Sequence, residues 1–276
     1  MRRCRRPASR GFSLVELAVV MAIVAFLLGG LIYTLSAQVD QRNFEETRRR
    51  LDQARELILA FAITNGRLPC PARSAATAAP VTAAGDEVRT AAANPDCVGD
   101  AVPDNYGGTN GGVTLGLLPA RAIGYLQVDS AGLAVDAWGN RIRYAVAYLA
   151  TNCAGGAPAY PHFTNSTNLK TNGISCQPND LLVCKSATGI TGTTCGGASN
   201  QIMSQSLVVA VIYSTGKNGA GAAGGIDEAA NLNGDRVFVY HTPTPTTFAN
   251  GEFDDQFTWI TAGELYGKLI AAGVLP

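Results

Sequence analysis

The sequence predicts an α+β protein: a long N-terminal helix, half membrane-spanning and half amphipathic, packs on an antiparallel β-sheet head with disulfide-stapled loops. Three observations carry this prediction. The apolar run from Leu14 to Tyr33 is long enough to cross a bilayer. It continues into a stretch with helical apolar periodicity, and later segments alternate as strands do. The six cysteines beyond the N-terminal segment form an even set that can pair.

Composition and charge narrow the class of protein. The 276 residues are 47% hydrophobic but only 15% charged, against a usual ~25%. The net charge is zero, yet the first eleven residues hold five arginines and no acid. A basic cluster beside an apolar span keeps that end in the cytoplasm, so the remainder faces the opposite compartment. The sequence therefore indicates an anchored globular chain and excludes a disordered or nucleic-acid-binding one.

A carboxylate just inside the apolar run demands an explanation, because an acid in hydrocarbon is costly and by default functional. Glu16 lies in the stretch RGFSLVELAVV, which follows the basic segment. This stretch resembles the processing site of type IV prepilins and of the pseudopilins of type II secretion. The resemblance implies that a prepilin peptidase cuts after Gly11 and methylates the new N-terminus at Phe12. The alternative is an unprocessed anchor whose Glu16 reaches the membrane interface.

In that family the acid at this position serves filament assembly, and the physical reason is clear. A carboxylate buried among packed helices needs a partner charge. The nearest candidate is the amine of Phe12 on a neighbouring subunit. Such a pair is lost out of register, so Glu16 would specify the axial stagger of subunits more than it adds stability.

The helix is expected to continue to Thr64. Phe44, Leu51, Ile58 and Phe61 recur at helical steps, and Asn65-Gly66 supplies a stop. Arg48–Arg50 falls mostly off this stripe and is interpreted as a solvated face.

The chain is expected to divide into four parts. These are a cleaved leader over 1–11, a transmembrane or filament-core helix over 12–35, an amphipathic helix over 36–66 and a periplasmic α+β head over 67–276, with an insertion at about 150–206.

The cysteines are expected to staple loops of the head in an oxidising compartment such as a periplasm. Six cysteines allow fifteen pairings. Cys70 and Cys97 flank a long Ala/Thr/Pro-rich loop that a bridge would restrain. The favoured pairings are Cys70–Cys97, Cys184–Cys195 and, by remainder, Cys153–Cys176.

Strand signals begin after the turn from Asp136 to Asn140. This D-x-W-G-N turn is similar to one that marks the major pseudopilins of type II secretion. RIRYAVAYL, SLVVAVIYS and DRVFVYH are predicted strands, and LLVCK is a candidate short strand. Near the C-terminus, Thr261 and Glu264 form a possible capping box for a short terminal helix that Gly273 ends.

One polar segment between two predicted strands is a candidate cation site. Oxygen ligands at such density suit Ca²⁺, although the spacing is not that of an EF-hand. Related pseudopilins bind Ca²⁺ in a loop of this neighbourhood, and a plain polar turn is the alternative. Asp254 and Asp255 are possible additional ligands. The candidate ligands are Asp227, Glu228, Asn231, Asn233 and Asp235.

No catalytic motif stands out. The chain has two histidines and no G-x-S-x-G elbow, and STGKNGAGAAGG lacks the spacing of a phosphate loop. His241 is interpreted as a surface residue at the end of a strand.

The resemblance implies a non-enzymatic structural subunit of a type II secretion or type IV pilus filament. The insertion and the bulk of the chain favour a minor pseudopilin or minor pilin. The implied partners are prepilin peptidase, other pilin or pseudopilin subunits, the inner-membrane assembly platform with its ATPase, and secreted cargo; no nucleic-acid partner is expected. The expected location is the bacterial inner membrane, single-pass with a cytoplasmic N-terminus, and then the filament. The alternatives are a type IV minor pilin in adhesion, motility or DNA uptake, and a membrane-anchored periplasmic hydrolase or binding protein.

Overall fold

The computed structural model describes residues 13–75, 83–89, 97, 106–110, 113–148, 150–151, 153, 161–219 and 224–275. Within them the chain is α+β, and two compact units divide it at Asn43/Phe44. In chain order the helices and strands are α1 (Leu14–Asn65), β1 (Thr109–Asn110), β2 (Val113–Thr114), α2 (Ala120–Ile123), β3 (Arg143–Val146), β4 (Ala150–Thr151), α3 (Ser166–Asn172), β5 (Gln177–Pro178), β6 (Leu182–Cys184), β7 (Gln201–Met203), β8 (Val208–Ser214), α4 (Ile226–Asn231), β9 (Val237–Val239), β10 (Gln256–Thr261) and α5 (Ala262–Ala271).

Helix α1 ends where the sequence predicts. Gly66 adopts a left-handed backbone conformation, with φ of 68°, and its amide donates to the carbonyl of Ala62. Among the described residues, no helix combines the length and the apolar character that crossing a membrane requires.

The second unit, 44–276, is built around a three-stranded antiparallel sheet in the order β10–β8–β3. All seven residues of the central strand β8 are buried, which suits its run of β-branched and apolar side chains. One face of α1 joins this core, where it contributes Leu51, Ala54, Ile58, Leu59 and Ala62. The core thus unites the amphipathic half of the helix with the sheet.

A second three-stranded sheet has the order β7–β6–β9, and β6 runs parallel to β9. The expectation of a purely antiparallel head is therefore wrong at this pair. Parallel neighbours need a long crossover connection, and here the chain between Cys184 and Val237 supplies it through β7, β8 and α4.

Helix α5 begins with the cap that the sequence predicts. The hydroxyl of Thr261 accepts a hydrogen bond from the amide of Glu264 at 3.3 Å. The carboxylate of Glu264 does not complete the reciprocal half of the capping box, because it bonds to Arg55 on α1 instead. Gly273, with φ of 69°, follows the end of the helix.

Three disulfides join the head: Cys70–Cys97, Cys153–Cys176 and Cys184–Cys195. These are the three pairings that the sequence favoured. Each cysteine is buried, so the bridges lie inside the head.

Candidate functional site

Glu16 lies in the first turn of α1, where it forms a capping box with Ser13. The amide of Ser13 donates to Oε2 of Glu16 at 3.0 Å, and the amide of Glu16 donates to Oγ of Ser13 at 3.2 Å. The pair satisfies two amides that an α-helix leaves unbonded at its start. The role of Ser13 was not predicted, although Ser-x-x-Glu at the start of an apolar run is the sequence signal for such a cap.

The other expected processing residues, Gly11 and Phe12, lie outside the described residues. Cleavage after Gly11, methylation of Phe12 and the pairing of Glu16 with a neighbouring amine stay predictions. Within the described residues, Oε1 of Glu16 accepts no hydrogen bond, since its cap uses Oε2 alone.

The described part of α1 that precedes residue 28 exposes large apolar side chains on every side. Leu14 is 86% exposed and Phe26 is 84% exposed, and the valines and leucines between them are likewise accessible. Exposed apolar side chains in this number are typical of a surface that packs on other apolar surfaces.

The D-x-W-G-N turn is built on the buried carboxylate of Asp136. Its Oδ1 accepts from the amides of Trp138 and Asn140 at 2.9 and 2.8 Å, and its Oδ2 accepts from the hydroxyl of Ser214 at 2.6 Å. Burial raises the pKa of Asp136, and these hydrogen bonds oppose the rise.

Arg50 on α1 donates to the carbonyls of Val135 and Asp136. The expectation of a solvated Arg48–Arg50 face is therefore wrong for Arg50, which fastens the helix to the turn.

The five predicted calcium ligands do not converge. Ile226–Asn231 form α4, so the prediction of a loop is wrong there, and neighbouring residues on a helix point in different directions. Asp227 accepts from the amide of Ala187 at 2.5 Å and from the side chain of Asn250. The side chain of Asn231 bonds to the backbone of Val239.

Asn233 and Asp235 form a local polar turn. The amide of Asp235 donates to Oδ1 of Asn233 at 2.9 Å, and the amide of Val237 donates to Oδ1 of Asp235 at 2.8 Å. This geometry is that of the plain polar turn held as the alternative to a ligand set.

Three carboxylates form a cluster, and one of them belongs to Glu228. One oxygen from each of Glu228, Asp254 and Asp255 lies within 4.8 Å of the others. Burial raises the pKa of all three, in the case of Glu228 to about 7. A cavity of about 270 Å³ adjoins Glu228 and Asp255. Asp254 and Asp255, which were predicted only as possible additional ligands, thus lie beside Glu228. Of the five predicted ligands, Glu228 alone faces them.

Hydrogen bonds hold this cluster in place. Oε1 of Glu228 accepts from the amide of Asp254 at 2.8 Å, and its Oε2 accepts from the side-chain amide of Asn218 at 2.9 Å. Asp255, 3% exposed, accepts from Asn231 at 2.7 Å. Oδ1 of Asp254 and Oδ1 of Asn218 are buried without a hydrogen-bond partner. The described part of the cluster therefore has more acceptors than donors, an arrangement that a proton or a cation would relieve.

The ring nitrogens that bond in the two histidines contact a carboxylate, a backbone carbonyl and a tyrosine hydroxyl. Nε2 of His241 lies 3.1 Å from Asp227, and its Nδ1 lies 2.7 Å from the carbonyl of Thr242. His241 also stacks on Phe253, so it is not the bare surface residue that was expected. His162 is fully buried and bonds to the hydroxyl of Tyr266, and burial lowers its pKa to about 4. No serine hydroxyl is bonded to either ring within the described residues.

Comparison with known proteins identifies the N-terminal segment. Residues 6–32 match the family model described as the prokaryotic N-terminal methylation motif. No curated protein and no solved structure matches the chain. The match spans the residues on which the sequence resemblance depends, Gly11, Phe12 and Glu16. The chain carries the class III signal of a type IV pilin-like prepilin.

Proposed function

We propose that the chain is a non-enzymatic structural subunit, a minor pseudopilin or minor pilin, of a type II secretion or type IV pilus filament. The observation that carries this proposal is the methylation motif over residues 6–32. The exposed apolar side chains from Leu14 to Leu27 support it, because they need either lipid or the helices of other subunits as neighbours.

In the proposed mechanism the precursor waits in the inner membrane with its head in the periplasm. The peptidase cuts after Gly11 and methylates Phe12. An assembly platform with its ATPase then extracts the subunit into the filament, since this chain has no recognisable nucleotide-binding motif of its own. The head contacts neighbouring subunits and secreted cargo.

Glu16 is proposed to select the axial position of the incoming subunit. Its Oε2 caps α1 through Ser13, while its Oε1 is unoccupied within the described residues. One carboxylate can therefore keep the cap and also accept from the amine of Phe12 on a neighbour. The cap would hold the acid in the orientation that the intersubunit pair requires.

The direct test is mass spectrometry of the mature N-terminus. We expect a chain that begins at methylated Phe12, and a chain that begins at Met1 would contradict the proposal. Gly11→Val should block cleavage and assembly. Gly267→Ala is the matched control, because Gly267 is exposed on α5 of the head and an added Cβ there meets no atom within 4 Å.

Assembly is tested separately from processing. Glu16→Gln should be cleaved and yet enter filaments poorly, whereas Glu45→Gln, which alters an exposed acid of the same helix, should assemble normally. Equal incorporation of both variants would refute the role of Glu16. A neighbouring secretin gene would favour the pseudopilin, and a retraction ATPase gene would favour the pilus.

A membrane-anchored hydrolase or binding protein is the alternative from another class. It predicts a head that works without processing, so Gly11→Val would leave its activity intact. The hydrogen bonds of His162 and His241 give a catalytic version of this alternative no support.

A further inference from the structure

A cavity of about 310 Å³ opens at the end of the β10–β8–β3 sheet, beside the D-x-W-G-N turn. Two arginines and two threonines line it, together with residues of the turn, and no acidic residue is among the described residues that line it. The lining residues are Thr114, Gly139, Asn140, Arg141, Arg143 and Thr215.

The two arginines reach the cavity because of strand geometry. Alternate residues of an extended chain point to the same side, and between and after these arginines Ile142 and Tyr144 are buried in the core. Arg141 and Arg143 therefore project together from the opposite face. The turn holds one wall in place, since the side chain of Asn140 donates to the carbonyl of Gly216 at 2.7 Å.

The positive charge in the cavity is only partly compensated. Arg141 uses Nε to reach Asp129 at 3.2 Å, and Asp129 also accepts from the amides of Ala131 and Leu133. Arg143 makes one long contact, from Nη1 to the carbonyl of Leu115 at 3.4 Å. Within the described residues no carboxylate lies within ion-pair distance of Arg143, and the terminal nitrogens of Arg141 have no acceptor.

The geometry points to a binding site for an oxyanion, either a carboxylate or a phosphate-type group, held by Arg141 and Arg143 and assisted by the hydroxyls of Thr114 and Thr215. Two guanidinium groups present planar forks of donors that match the paired oxygens of such a ligand. The sources of this chemistry are a free inorganic anion and an acidic side chain of a neighbouring subunit.

The first experiment titrates inorganic phosphate into the full-length protein in detergent at constant ionic strength, and it follows the arginine Nε–Hε signals by NMR. We expect saturable shifts at Arg141 and Arg143 and none at Arg121, an exposed arginine whose nearest acid is Asp86 at 3.9 Å. A parallel titration with acetate tests the carboxylate. Linear, unsaturated shifts spread over all arginines with both anions would overturn the proposal.

Two site variants and one control variant separate the site from general charge. Arg143→Gln should weaken phosphate binding by about tenfold or more, while Arg121→Gln should leave it unchanged. Arg141→Lys keeps the charge but loses the fork, so it should also weaken binding. Thermal unfolding of each variant verifies that the head is folded, and phosphate binding by folded Arg143→Gln at the original strength would overturn the assignment.

Filament assembly in cells distinguishes the two sources. If Arg143→Gln loses phosphate binding but assembles normally, the ligand is a free anion. If it loses binding of both anions and assembles poorly, the ligand is a carboxylate of a neighbouring subunit. Poor assembly with anion binding intact would count against the site.

Discussion

Glu228→Gln should stabilise the head at neutral and alkaline pH. Glu228 is 4% exposed, its carboxylate lies beside Asp254 and Asp255, and burial raises its pKa from 4.5 to about 7. At 1.36 kcal/mol for each pH unit, ionising it in the folded protein costs about 3 kcal/mol more than in the unfolded chain. A neutral glutamine avoids this cost.

The sign of the pH dependence follows from proton binding. Between pH 4.5 and 7 the folded state holds the proton of Glu228 while the unfolded state has released it. The free energy of unfolding of the wild type should therefore fall as pH rises through this interval. Below pH 4.5 the wild type and Glu228→Gln should be equally stable, and at pH 8 the variant should be more stable by up to about 3 kcal/mol.

The glutamine also finds partners in the structure. Its oxygen can keep the bond from the amide of Asp254, and its NH₂ group takes the place of Oε2, where it can donate to Oδ1 of Asn218 once that side-chain amide turns over. The assay is urea unfolding of the full-length protein in detergent at pH 4.5, 6 and 8, with Glu45→Gln as an exposed control. A variant that is less stable than the wild type at pH 8, or that keeps the full slope, would refute the reasoning.

Four further predictions follow from particular contacts. If calcium is the ligand expected from the sequence, millimolar Ca²⁺ should raise the unfolding midpoint of the wild type more than Mg²⁺ does, and Asp254→Asn should abolish the difference; equal effects of both ions would count against calcium. Ser13→Ala should remove the cap of α1 at a cost of about 1 kcal/mol and speed amide exchange over its first turn, whereas Ser13→Thr should not; unchanged exchange would argue against the cap. Asp136→Ala strands the amides of Trp138 and Asn140 and should destabilise the head by about 2 to 4 kcal/mol in urea unfolding, and a loss below half a kcal/mol would contradict the structural role of the turn. Removing the Cys184–Cys195 bridge by a double serine substitution should cost about 2 to 3 kcal/mol, and an unchanged midpoint in non-reducing urea would show that the bridge restrains little.

Local signals made several elements predictable. Gly66 and the apolar periodicity before it mark the end of α1 without reference to the rest of the fold. Strand β8 could be predicted because a continuous run of β-branched and apolar residues suits a strand buried on both faces. Thr261 and Glu264 indicated α5, but the same Thr261 also ends β10, a strand that was not predicted.

The remaining features depend on residues that are distant in the sequence. The parallel pairing of β6 with β9 joins segments on either side of β8, so no local pattern reports it. Asp227 and Glu228 are adjacent, yet on α4 they diverge, one toward Asn250 and the other toward Asp254. The density of acidic residues along the chain therefore located the region of the cluster, but of the five predicted ligands only Glu228 belongs to it.

The fastening of α1 to the head has a mechanical consequence. Arg50 bonds to the carbonyls beside the D-x-W-G-N turn, and Arg55 bonds to the carbonyl of Trp259 and to Glu264. A pull along the axis of the helix would load these contacts and the apolar core together, in shear, instead of breaking them one after another. When the helix is pulled, the head would therefore move with it and stay folded.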